Sequence, residues 1–178
     1  HGAFSISGKN DALRGAFSAE LKNGMIHIKG EKFSAQFEGE ATFNPSSYHE
    51  CAFKIKDVII GVQFHWERKE KQSFRGALKL IVENEKLTAI NLIPVEDYLV
   101  SVISSEMSAK SSLALLKAHA VISRSWLIAQ IERSKAVKAG TESSVSTISS
   151  DHEFIRWYDR EDHVHYDVCA DDHCQRYQ

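Results

Sequence analysis

The sequence predicts an α+β protein in which an antiparallel β-rich N-terminal half, residues 1–92, packs against a helical pair within residues 93–178. Three observations carry that assignment. Apolar residues recur with a period of two as far as Leu92, the dipeptide Asn23-Gly24 separates two such runs, and at Pro94 the spacing changes to threes and fours.

Taken in order, Phe17, Ala19 and Leu21 alternate with polar neighbours up to Asn23-Gly24, which suits a two-residue type I′ turn because both residues tolerate positive φ. Ile26 and Ile28 mark the returning strand. Further strands are expected at Phe33–Phe37, Phe53–Ile55, Val58–Trp66, Ala77–Val82 and Leu87–Leu92. In the third of these, Val58, Ile60, Val62, Phe64 and Trp66 share one face and predict a wide core-facing surface. Pro94, with fixed φ and no N–H, suits a helix start, and Glu96 and Asp97 then lie where the helix dipole favours negative charge by about 0.3–1 kcal/mol each. Leu99, Val102 and Ile103 supply the apolar face of that helix. A second helix, capped by Ser111 or Ser112, is expected to run to about Lys135, with Leu113, Leu116, Ala120, Leu127 and Ile131 forming one buried stripe. Gly140–Ser150 reads as an exposed loop, and Phe154, Ile155 and Trp157 restart structure.

With 178 residues, 43% of them hydrophobic, the chain can bury one large core or two small ones. Its formal charge of −2 provides no global attraction to nucleic acid or anionic membranes. No apolar run approaches the ~18 residues of a membrane span, so no transmembrane segment is expected. The first residue is His1 and no export signal is visible, which predicts a processed form or a fragment. Charge is nevertheless uneven. Lys110, Lys117, Arg124, Arg133, Lys135 and Lys138 face only Glu132, whereas eight acidic and three basic residues stand from Asp151 onward. A basic second helix after a short turn also allows a helix-turn-helix nucleic-acid module, but the acidic segment and the overall charge oppose it.

Three cysteines, Cys51, Cys169 and Cys174, exclude a complete disulfide framework. His163, Cys169 and Cys174 form a His-x5-Cys-x4-Cys arrangement, a donor set that zinc accepts readily, with His165 and His173 as rival imidazoles. The spacing by itself equally allows a Cys169–Cys174 disulfide or two free thiols.

The order Pro94-Val95-Glu96-Asp97-Tyr98-Leu99, Ser105-Glu106-Met107, Ala114-Leu115-Leu116-Lys117-Ala118-His119-Ala120-Val121 with Arg124-Ser125-Trp126, then Asp167-Val168-Cys169 and His173-Cys174-Gln175-Arg176-Tyr177, resembles the stage II sporulation protein D family, which includes the amidase enhancers. The resemblance runs from about Gly76 to the last residue. It implies an extracytoplasmic lytic transglycosylase acting on peptidoglycan glycan strands, in the periplasm or on the wall side of the membrane. In such an enzyme one carboxyl group acts as acid toward the leaving oxygen and as base toward the muramyl 6-hydroxyl, and no second carboxylate is needed. The resemblance places Glu106 in that role and implies that His163, Cys169 and Cys174 hold zinc. Lys117 and Arg124 match basic positions of the family's second helix, as candidate contacts to sugar acetamido or lactyl groups. At position 119 the family usually shows Gln, and this chain has His119. The family's domain continues beyond the point matched by Gln178, so a C-terminally truncated domain is expected. Two alternatives remain alongside it. A non-catalytic module would bind the cell wall and recruit or activate an amidase, and a hydrolase would use a Cys₂His zinc to activate water. The process served, sporulation or general wall turnover, is open.

Overall fold

The computed structural model describes residues 2–8, 12–61, 65–140, 147–156, 163–169 and 174–177. It is α+β, with antiparallel strands in its N-terminal part followed by two helices, and it divides into two compact units, His1–Pro94 and Val95–Gln178.

Among the described residues, ten strands build the first unit: β1 (Phe4–Ile6), β2 (Ala12–Leu13), β3 (Phe17–Lys22), β4 (Met25–Gly30), β5 (Ser34–Glu38), β6 (Glu40–Pro45), β7 (Phe53–Ile60), β8 (Arg68–Phe74), β9 (Ala77–Glu83) and β10 (Lys86–Leu92). They pair antiparallel in a five-stranded sheet of order β10-β9-β6-β1-β2, a three-stranded sheet β3-β4-β5 and the hairpin β7-β8. The predicted hairpin at Asn23-Gly24 is present, with φ of 51° and 75° at the two turn residues and Lys22 facing Met25. Asn84-Glu85 makes the same kind of turn, with φ of 48° and 59°, between β9 and β10.

Alternation then determines what is buried. Ile26 and Ile28 of β4 meet Ile6, Ala41, Phe43, Leu78 and Leu80 of the five-stranded sheet in one core, and the Phe17 ring stacks on Phe43 at 4.8 Å. Phe43 is 1% exposed. Phe43→Ala should therefore cost about 3–5 kcal/mol through lost burial and the cavity left behind. Urea unfolding followed by a first-unit probe checks this, and a loss under about 1 kcal/mol would contradict the packing.

Three strand expectations need correction. β7 is one strand from Phe53 to Ile60, because a register shift between Ile55 and Val58, with Asp57 at φ 56°, inserts a bulge where the sequence suggested a break. It does not extend to Trp66. Gly61 at φ 66° follows Ile60, and a Cβ there would lie 2.3 Å from the Trp66 ring. Val58 and Ile60 are half-buried and Trp66 is exposed, while the Val62 and Phe64 part of the expected face lies outside the described residues. β8, the charged run Arg-Lys-Glu-Lys-Gln-Ser-Phe, and the short strands β1, β2 and β6 were not expected.

In the second unit α1 spans Val95–Glu106 and α2 spans Leu113–Lys138. Tyr98, Leu99 and Val102 are the buried face of α1. The connecting turn is tied by Ser108, whose carbonyl accepts from Ser111 N at 2.9 Å and whose hydroxyl accepts from Lys110 N at 3.2 Å. Ser112 caps α2, its hydroxyl accepting from Leu115 N at 3.2 Å. The helix ends three residues later than expected, before Gly140 at φ 70°, a glycine stop signal. Of the expected stripe, Leu127 is buried and Leu116, Ala120 and Ile131 are half-buried, but Leu113, the first helical residue, is exposed. Beyond α2 the expected loop contains a strand, β11 (Thr147–Ser149), paired with β12 (Phe154–Arg156) through a turn in which the Ser150 hydroxyl accepts from Glu153 N. Trp157 lies outside the described residues.

No helix among the described residues is long and apolar enough to cross a membrane.

A carboxylate and a thiol-imidazole cluster joined by a three-residue strap

Glu106 is the last residue of α1, where the dipole disfavours a negative charge and no basic residue stands in the final turn. Two donors offset that cost. His119 Nε2 lies 2.9 Å from Oε2, and Arg176 N donates to Oε1 at 2.9 Å. The Glu106 side chain keeps 27% of its accessible surface and the His119 side chain 13%, so the pair is sheltered yet the carboxylate remains reachable. Ser123, one turn beyond His119, is buried, and its hydroxyl is 3.5 Å from the same Nε2.

Arg176 belongs to a strap of three consecutive residues, each fastened to a helix. Gln175 donates from Nε2 to Ser123 O at 3.1 Å, and its own carbonyl accepts from the Tyr98 hydroxyl at 3.5 Å. Arg176 N reaches Glu106, and the Tyr177 ring stacks on Tyr98 with centroids 5.0 Å apart. Burial pushes the Tyr98 hydroxyl well above the ordinary phenol range, and the nearby Cys174, Glu106 and Cys169 groups push it the same way. Tyr98 therefore stays a neutral hydrogen-bond donor.

Cys174 immediately precedes the strap. His163, Cys169 and Cys174 come together, with their ligand atoms all within 4.8 Å of one another, and Cys174 Sγ lies 3.5 Å from His163 Nε2. Ligand atoms around a tetrahedral zinc are separated by roughly 3.5–3.8 Å, as bond lengths near 2.3 Å to sulfur and 2.0–2.1 Å to nitrogen require. The half-buried cluster is thus a possible metal-binding group of the right donor chemistry and size. The Cys169 N–H points to Cys174 Sγ at 3.5 Å, a contact that favours the thiolate a metal needs. No disulfide joins Cys169 and Cys174. Of the rival imidazoles, His165 is exposed and outside the cluster, and His173 lies outside the described residues. Cys51 is buried in the first unit, its thiol donating to Ala3 O at 3.4 Å.

The two basic candidates are placed differently from Glu106 and its donors. Lys117 is exposed on α2, two residues before His119 and so on the opposite side of that helix. Arg124 makes a two-pronged ion pair with Glu96 in the first turn of α1.

The stage II sporulation protein family, SpoIID, matches residues 83–178, more than half of the chain. The chain belongs to that family. Neither the curated proteins nor the solved structures yield a match to it. The matched span contains both helices, the carboxylate and the cluster.

Tyr98, Ser123 and Gln175 were not singled out from the sequence as parts of the site. A polar residue at Ser123, one turn after His119 on the inner side of an otherwise apolar stripe, is the signal that points to them.

Proposed function

We propose that this SpoIID-family chain is an extracytoplasmic lytic transglycosylase that cleaves the glycosidic bond between N-acetylmuramyl and N-acetylglucosaminyl residues of peptidoglycan. The observation that carries the reading is the single carboxylate of Glu106, oriented by donors from two separate elements, α2 and the strap. Protonated Glu106 gives its proton to the leaving O4 of the N-acetylglucosaminyl residue as the bond from C1 to O4 breaks, and positive charge develops at the muramyl C1. The muramyl 6-hydroxyl oxygen then bonds to C1, and its proton returns to Glu106. A 1,6-anhydro sugar forms, no water is consumed, and the carboxyl group ends as it began.

His163, Cys169 and Cys174 would hold a zinc ion, whose contribution when bound is to crosslink the acidic tail next to the strap. Arg124 is the candidate contact to sugar acetamido or lactyl carboxylate groups, by exchanging Glu96 for substrate, and exposed pairs of that kind are worth only about 0–1 kcal/mol. Lys117 stands on the opposite side of α2 from His119 and is no part of this reading.

The reading is tested by incubating the purified, reduced chain alone with purified glycan strands. Release of soluble fragments without any amidase present is the expected result. Binding without release, together with stimulation of an added amidase, would replace the enzyme with the amidase-enhancing module.

A further inference from the structure

We infer that His119 is the positioning residue for Glu106, holding one carboxylate oxygen through Nε2 in both protonation states of the reaction. The inference rests on the transglycosylase reading for its kinetic consequence but not for its geometry. His119 Nε2 is 2.9 Å from Glu106 Oε2, whereas His119 Nδ1 is buried and has no hydrogen-bond partner among the described residues. A hydrogen on Nδ1 would be buried without an acceptor, while a hydrogen on Nε2 meets a carboxylate. The imidazole facing ionised Glu106 therefore carries its hydrogen on Nε2 and donates it. A Glu106 carboxyl protonated on Oε1 still offers Oε2 as an acceptor to the same Nε2–H, so the contact survives on either side of proton transfer with no change of tautomer.

The remaining contacts show why this contact sets the carboxylate's direction. Arg176 N fixes Oε1 alone, and a carboxylate held at one oxygen can rotate about its terminal torsion, which is broad and soft. The second contact removes that freedom. Ser123, on the same face of α2, has its hydroxyl 3.5 Å from Nε2, a weaker contact than the 2.9 Å one that this nitrogen makes to Glu106.

The test compares His119→Gln with His119→Leu. A Gln side chain carries both a donor and an acceptor at its tip and can turn either toward Glu106, while Leu fills similar space with neither. On purified glycan strands, His119→Leu is expected to lose roughly ten- to a hundredfold in kcat with KM changed less than about twofold, and His119→Gln to restore most of the rate. Equal loss in both variants, or loss confined to KM, overturns the positioning role. A second measurement needs no turnover. Wild-type protein should show a downfield, exchange-protected His119 Nε2–H proton resonance that disappears in Glu106→Ala. Its absence from folded wild-type protein overturns the inference. Its presence in a protein that forms no anhydro product keeps the pairing and removes only the transglycosylase reading.

Discussion

Glu106→Gln is expected to abolish glycan cleavage while leaving glycan binding intact. The amide keeps the shape of the carboxyl group but cannot give up and retrieve a proton, so the rate should fall by about 10²–10⁴-fold, the usual worth of a general acid-base group. Folding should change little. The amide oxygen can accept from only one side at a time, so one of the contacts to His119 Nε2 and Arg176 N is weakened, costing about 1 kcal/mol. Binding measured by cosedimentation with strands, and turnover by chromatography of released fragments, separate the two effects. Undiminished cleavage by the mutant would remove Glu106 from the chemistry.

The second large effect is expected at the thiol-imidazole cluster. Reduced wild-type protein should contain one zinc per chain, and Cys174→Ser should lose it together with most of the activity. The physical link is short. Cys174 is followed by Gln175 and Arg176, and the Arg176 N–H is one of the two donors on Glu106. The tail from Asp151 carries eight acidic and three basic residues and so has little core of its own. A metal crosslink at Cys174 would add to the contacts that hold the strap against Tyr98 and Ser123. Amide hydrogen exchange reads this directly: protection at Arg176 should drop in Cys174→Ser and on chelation. Zinc-free, reduced wild-type protein with Arg176 still protected would contradict the clamp.

What was legible in the sequence follows from how local each signal is. The Asn23-Gly24 turn, the antiparallel alternation and the Ser112 cap each depend on a few adjacent residues, and each stands in the structure. β7 was misjudged because a bulge at Asp57 shifts the alternation by one residue, and β8 was missed because its half-buried positions include Glu70 and Gln72. β6 carries Phe43 at the centre of the core, yet it ends in Asn44-Pro45, a dipeptide that reads as a turn. In the second unit Glu106 and the three residues of the cluster could be named, but not Tyr98, Ser123 or Gln175, nor the connection between carboxylate and cluster. That connection is a strap whose partners lie 52, 70 and 77 positions away in sequence, a separation that no spacing rule reaches. His119 shows the same limit. Its departure from the family's usual Gln was visible, whereas its partner was not, because Glu106 and His119 lie on different helices.

The central claim is that Glu106 directs an intramolecular transfer, and the origin of the oxygen at the new chain end tests it most directly. Glycan strands digested by the wild-type protein in ¹⁸O-labelled water should yield muramyl ends that are 1,6-anhydro and carry no label, because the oxygen joined to C1 comes from the sugar's own 6-hydroxyl. Reducing ends bearing one ¹⁸O atom would contradict the account and identify a hydrolase that activates water.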